Sequence, residues 1–239
     1  MAGLLVSVLV LLPFSGATPT SSCRSSEDLC TDDVSSVLQL KRVPYESVPC
    51  VYVNLASRTD RRNRIEAELS KAGLHCHRIN AVDAKAMNLS SGHEGCRRSH
   101  IAALQHLQGM LEASRYNYGI VFEDDAVWRN ATPPRALQLD MSYALQDHPV
   151  LLLSCNGYGY VRAEHWLKDV GACQTTSAYA LRQDYIPKLK ANMEGGTVID
   201  QDWQHLQKTD RWVMYWPTVI KQGASWSDIQ HGYADYDVF

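Results

Sequence analysis

Beyond its amino terminus this chain has no run apolar enough to cross a bilayer, and it has no block of basic residues. Its 23 Lys and Arg nearly balance its 26 Asp and Glu, for a formal net charge of -3. These absences argue against a stable membrane span and against a nucleic acid or an anionic membrane as partner. There is no CxxC and no Cys/His pair at zinc-finger spacing, so a zinc site is not expected. Internal repeats and low-complexity tracts are also missing, which removes solenoids and fibrous proteins. What remains is ordinary globular composition, 45% hydrophobic and 21% charged, over 239 residues. That is enough chain for one domain with a sizeable core.

The one long apolar stretch is Leu4 to Leu12, followed by the small residues Ser15-Gly16-Ala17. It reads as a cleaved signal peptide over residues 1–17, in preference to a type II membrane anchor, for which it is short. Residues 18–48, rich in Ser, Asp and Thr, read as a stalk or lead-in, and residues 49–239 as the working domain. Seven cysteines (Cys23, Cys30, Cys50, Cys76, Cys96, Cys155, Cys173) fit a protein of the secretory pathway, lumenal or secreted. Their odd number leaves at least one thiol unpaired or intermolecular. Cys23 and Cys30 are close enough to bridge locally. Asn88-Leu89-Ser90 and Asn130-Ala131-Thr132 are glycosylation sequons.

Strand and helix patterns alternate through the domain. Cys50–Leu55 has the β-branched and aromatic content of a strand. A helix follows from Thr59 or Asp60 as cap, with Ile65, Leu69 and Ala72 on one face and Gly73 ending it. His77–Val82 is a second strand. Gly95 to about Arg115 is helical, with Ile101, Leu104, Leu107 and Leu111 as its apolar stripe. Tyr118–Phe122 is a strand that runs into Glu123-Asp124-Asp125. A helix opens at Pro133-Pro134, and strands are expected at Val150–Ser154, Ser177–Leu181 and Arg211–Val219. Gln183–Met193 reads as a helix with Pro187 in its first turns. The alternation indicates an α/β fold, a single domain with a mostly parallel sheet.

Chemistry concentrates where strands end. Three adjacent carboxylates at the end of an apolar strand repel one another and raise each other's pKa unless a cation neutralises them. A hard divalent ion with oxygen ligands is the usual remedy. Arginines cluster at the start of the first helix, where positive charge opposes the helix dipole and a bound diphosphate would relieve the conflict. In an open α/β sheet, ligands bind at the carboxyl ends of strands. Asn54, Asp83, Glu123-Asp124-Asp125 and Asp200 all stand at such ends.

Several segments taken together resemble glycosyltransferase family 25. They are Val53-Asn54-Leu55 with Arg58 and Asp60-Arg61-Arg62; Ala81-Val82-Asp83; Gly95-Cys96-Arg97-Arg98-Ser99-His100; Val121-Phe122-Glu123-Asp124-Asp125; Ala178-Tyr179; Val198-Ile199-Asp200; and Gln222 with Ser227-Asp228-Ile229. That family includes lipooligosaccharide and procollagen galactosyltransferases. The resemblance implies a glycosyltransferase-A-like domain and transfer of a hexose, galactose above all, from a UDP-sugar to a hydroxyl of a protein or glycan acceptor. It implies Mn²⁺ held by Glu123 and Asp125, side chains that share a face if the strand continues through them. It implies a nucleotide-sugar site of Asn54, Arg58, Arg62, Asp83, Ser99, His100 and Asp124. Asp200 would take the acceptor's proton, with Asp202 as understudy. Two other readings stay open: an inactive relative that only binds, and a metal-dependent phosphohydrolase. Trp226, in a polar loop, is a candidate for stacking on a sugar.

Overall fold

The computed structural model describes residues 47–129, 134–156, 160–164, 166–229 and 232–234. The expected signal peptide, nearly all of the lead-in, Cys23, Cys30 and the second sequon lie outside the described residues. The apolar segments form strands and helices in the order β1 (Cys50–Asn54), α1 (Thr59–Lys71), β2 (His77–Asn80), α2 (Gly92–Glu112), β3 (Tyr118–Glu123), β4 (Ala126–Trp128), α3 (Pro134–Asp147) and β5 (Val150–Leu152). There follow β6 (Tyr160–Glu164), β7 (Leu167–Val170), β8 (Ala178–Arg182), α4 (Ile186–Gly195), α5 (Ile199–Asp202) and α6 (Gln204–Thr209). The last elements are β9 (Val213–Tyr215), β10 (Ile220–Gln222), β11 (Ser225–Ser227) and β12 (Gly232–Ala234).

Eight strands make one sheet in the order β2-β1-β3-β8-β5-β9-β7-β6. β1 is parallel to β2 and β3, and β5 to β9. β8 runs antiparallel to both β3 and β5, and β7 to both β9 and β6. Six of the eight strands therefore point one way, and β8 and β7 oppose them. This is the α/β domain with a mostly parallel sheet that the alternation predicts.

Strands β1 and β3 read as unbroken apolar runs because helices cover both faces of the sheet. Successive side chains go to opposite layers. Val51, Val53 and Val121 pack with Leu104, Leu107 and Leu111 of α2. Cys50, Tyr52, Ile120 and Phe122 pack with Ile65 and Leu69 of α1 and with Leu137 and Met141 of α3. Disulfides join Cys50 to Cys76 and Cys155 to Cys173; Cys96 is the free cysteine among the described residues.

The structure corrects several expected boundaries. α2 starts at Gly92, three residues early, because the Ser91 hydroxyl accepts the Glu94 N–H (3.2 Å) and the Glu94 carboxylate reaches back to Ser90. At α1 the cap position is Arg58, with no side-chain cap, so Thr59 and Asp60 lie within the first turn. The expected strand Arg211–Val219 is only β9, which stops before a cis Trp216-Pro217 bond.

Candidate functional site

The register of the sheet sets Val53 beside Glu123 and Asn54 beside Asn80. The carboxyl ends of β1, β2 and β3 thus meet on one edge. β8 runs the other way, so the residues just before it arrive at the same edge, and the Glu123 N–H donates to the Ser177 carbonyl (2.9 Å). β10 pairs with β4 and brings Gln222 opposite Ala126. These ends, with α1, α2 and the β11–β12 hairpin, surround a cleft of about 440 Å³. That lies within the ordinary range of small-molecule sites, roughly 300–1,000 Å³.

The three acids line the cleft but diverge. Glu123, the last residue of β3, accepts from His100 Nε2 (3.0 Å) and from the Thr176 hydroxyl (2.5 Å). Burial pushes its carboxyl up, but the His100 and Thr176 bonds and the Arg61 charge outweigh burial and leave it below its ordinary value. β3 ends here and the chain turns through Asp124 and Asp125. The alternation that would put Glu123 and Asp125 on one face therefore does not operate.

Asp124 is held by Asn54 Nδ2 (2.7 Å) and by the Arg61 guanidinium (2.9 Å). Its carboxyl is nonetheless raised, because burial exceeds what these partners give back. Asp125 accepts from Gln222 Nε2 (3.1 Å) and the Ser177 hydroxyl (3.4 Å). Burial, with the Glu123 charge second, pushes it up to about 7. The Asp125 carbonyl accepts the Gly223 N–H (2.7 Å), and a Cβ at residue 223 would lie 2.8 Å from the Val127 side chain. A side chain at that position would therefore force Val127 to move.

The other expected site residues divide. Asn54, Asp83, Ser99 and His100 line the cleft. Asn54 is spent on Asp124 and on the Arg58 carbonyl, and Arg78 in turn donates to its oxygens. Asp83 is exposed and accepts the Ala86 N–H (3.0 Å). The Ser99 hydroxyl donates to the Gly95 carbonyl and accepts the Val82 N–H, so it braces α2 against the end of β2. His100 is buried, its Nδ1 against the Tyr179 hydroxyl (3.1 Å). Arg58 sits at the rim, clasped by Asp60 and Asp228.

Arg62 lies elsewhere. It pairs with Glu66, which also takes the Tyr52 hydroxyl, and it does not line the cleft. The arginine that enters is Arg61, which bonds Asp124 and fixes the β11–β12 hairpin through the Ser225 hydroxyl and the Trp226 carbonyl. Its buried Nε has no hydrogen-bond partner. Asp200 stands in the first turn of α5 rather than at a strand end, and it is not among the residues that line the cleft. It is half-buried, raised by burial and then by the Glu123 charge, with the Thr175 backbone on its carboxyl. Asp202 is committed otherwise: its carboxylate accepts the N–H groups of Thr197 and Val198 and ties the turn into α5. Within the hairpin, Ser225 and Ser227 line the cleft, whereas Trp226 alternates with them.

Sequence reading assigns no site role to Arg61, Gln222 or Thr176, although Arg61 and Gln222 stand in segments that carry the family resemblance. The signal for Arg61 was available, since Arg62 and Glu66 are an i,i+4 pair that occupies Arg62 on the helix surface. What Gln222 and Thr176 touch is set by strand pairings, which the sequence does not show.

No protein-family profile matches this chain, and no curated protein does. Solved structures do. A protein from STIV aligns at TM-score 0.45 with 12% identity, over 73% of this chain and 83% of its own. A glycosyltransferase involved in glycosylation of the major capsid of PBCV-1 aligns at TM-score 0.46 with 6% identity, over 71% and 81%. A UDP-glucose pyrophosphorylase complexed with UDP-glucose aligns at TM-score 0.41 with 10% identity, over 71% and 90%.

Proposed function

We propose that this protein is a metal-dependent glycosyltransferase of the glycosyltransferase-A type, akin to family 25, that moves a hexose, galactose in the first instance, from UDP to a hydroxyl of a protein or glycan. One observation carries the reading. Three carboxylates, Glu123, Asp124 and Asp125, gather at the carboxyl end of a central strand and open onto a cleft, and Arg61 is the guanidinium set among them.

Carboxylate oxygens suit a hard divalent cation, and Glu123 and Asp125 would turn toward one another to share it. Negative charge exceeds positive at the floor of the cleft, and two of the three carboxyls are raised by burial. Glu123 and Asp125 would hold the ion, Mn²⁺ by the resemblance, and it would supply charge neutralisation for the leaving diphosphate. The chain's own groups do the rest. Arg61 lines the cleft with a buried N–H unspent, which suits an anionic ligand. Asn54 and Arg61 fix Asp124, and Gln222 and Ser177 fix Asp125, so the acids are positioned before substrate arrives. Asp200, with its raised carboxyl, is the candidate base for the acceptor hydroxyl. Asp202 is not assigned that task, because backbone N–H groups occupy it.

The two disulfides suit the lumen of the secretory pathway or the exterior. Among the described residues no helix is long and apolar enough to cross a membrane. The test is a screen of UDP-sugars with Mn²⁺, with and without glycan and glycoprotein acceptors. UDP release from one donor, lost with EDTA and in Asp125→Ala, is the expected result. Phosphate release with no sugar dependence would transfer the site to a hydrolase. No release and no Mn²⁺-dependent binding of UDP would remove the transferase reading.

A further inference from the structure

Sequence spacing shows no zinc motif, but the fold brings together three potential metal ligands from two elements. Cys96 and His100 stand one turn apart on α2, four residues in sequence, and project on the same side. Glu123 comes from β3 to meet them. Cys96 Sγ, a ring nitrogen of His100 and a carboxylate oxygen of Glu123 all lie within 4.8 Å of one another. His100 Nε2 is 3.0 Å from Glu123 Oε1, and Cys96 Sγ is 4.0 Å from the same oxygen.

We propose that Cys96, His100 and Glu123 form a binding site for a borderline transition-metal ion, Zn²⁺ being the natural occupant, with its remaining coordination position facing the cleft. Bond lengths of about 2.3 Å to sulfur and about 2.0–2.2 Å to nitrogen and oxygen give ligand-to-ligand edges of roughly 3.3–3.6 Å in a tetrahedron. The observed separations bracket that range, so side-chain rotations suffice to close it. A thiolate and an imidazole select for Zn²⁺ or Co²⁺ over Mn²⁺ or Mg²⁺, which favour all-oxygen sites.

Three further features support the site. All three residues line the cleft, so an ion there would meet whatever the cleft binds, which is the layout of a catalytic rather than a closed structural site. Tyr179 supports His100 from behind, its hydroxyl 3.1 Å from Nδ1. A hydroxyl both donates and accepts, so it serves the tautomer that donates Nε2–H to Glu123 and, equally, the one that frees the Nε2 lone pair for a metal. Finally, Cys50, Cys76, Cys155 and Cys173 are all in disulfides, whereas Cys96 is a reduced thiol beside a histidine and a carboxylate. On binding, the Cys96 S–H bond breaks, the sulfur pair forms the bond to the metal, and the proton leaves to solvent. No electron changes hands.

The site shares Glu123 with the cation of the transferase reading, so the two ions would compete for that carboxylate, and its test reads metal binding through the thiolate rather than turnover. The purified full chain, stripped with EDTA, is titrated with Co²⁺ and followed by absorption. A thiolate-to-cobalt charge-transfer band that saturates at one equivalent and is displaced by Zn²⁺ is expected. The band should vanish in Cys96→Ser, and Co²⁺ affinity should fall by more than about tenfold in His100→Gln. It should persist in Asp125→Asn. Circular dichroism and the melting temperature of Cys96→Ser without metal should match wild type, and Cys96→Ala gives a second reading should the serine perturb packing. Absence of the band in wild type, or its survival in both Cys96 variants, overturns the proposal. UDP release without the band would leave the transferase reading standing and remove the metal site.

Discussion

Two regions of this sheet treat buried polar atoms in opposite ways. Around Trp203 and Trp212 the indole N–H groups and their polar neighbours are bonded to one another. Trp203 Nε1 donates to the Cys173 carbonyl, Trp212 Nε1 to the Tyr185 hydroxyl, and that hydroxyl to Asp210. The Gln207 amide both donates to the Cys173 carbonyl and accepts the Cys173 N–H. At the ends of β1 and β3 the reverse holds: carboxylates crowd together, two are raised by burial, and a buried N–H of Arg61 is unspent. The first region holds the fold together, and the second keeps polar capacity for a ligand. Tyr179 belongs to both, its ring edge-on to Trp203 at 5.5 Å and its hydroxyl against His100.

The contrast can be broken in four places. Trp203→Ala removes a fully buried ring that also meets Trp212 edge-on at 5.2 Å. It should cost about 3–5 kcal/mol in urea unfolding, and an unchanged midpoint would mean that the aromatic cluster is not the anchor. Arg61→Gln leaves Asp124 buried beside Asp125 without its cation. A loss of about 3 kcal/mol is expected, together with loss of UDP-sugar binding by calorimetry. Binding retained at wild-type strength would take Arg61 out of the site.

Asp210→Asn tests the apolar side through pH. Burial raises the Asp210 carboxyl, but Lys188, Tyr185 and Thr209 more than reverse this and hold it below its ordinary value. Its stabilisation is therefore present above the unfolded carboxyl pKa of about 3.9 and is lost as pH falls through the lower folded value. The gap between wild type and variant should be about 1 kcal/mol at neutral pH and close in acid. A gap that widens in acid would contradict the assignment. Arg62→Gln, next door to Arg61 but outside the cleft, should change neither melting temperature nor donor binding. A marked loss of binding would return Arg62 to the site.

The sequence revealed the early elements more readily than the short later strands. β1, β3, α1 and α2 carry long apolar runs or clear 3.6-residue stripes, and their strand ends carry the acids. β6, β7, β10, β11 and β12 are three to five residues long and are specified by their partners rather than by their own pattern. The site divides along the same line. Glu123, Asp124, Asp125, Asn54 and His100 stand in legible elements. Gln222 and Ser225 reach the cleft only through late strand pairing, and Asp202 looks catalytic until its backbone partners are seen. Cys96 and His100 were legible as helix neighbours, but what they meet belongs to another strand.

The bonds that finish the cleft span long stretches of chain: 70 residues between Asn54 and Asp124, 97 between Asp125 and Gln222, and 164 between Arg61 and Ser225. Closing such loops costs entropy that only the completed packing repays. As the polypeptide emerges from synthesis, the acids of β3 therefore appear long before the hairpin that will shelter them. For that interval three adjacent carboxylates stand open to water and to any passing cation. The cleft is among the last features to mature.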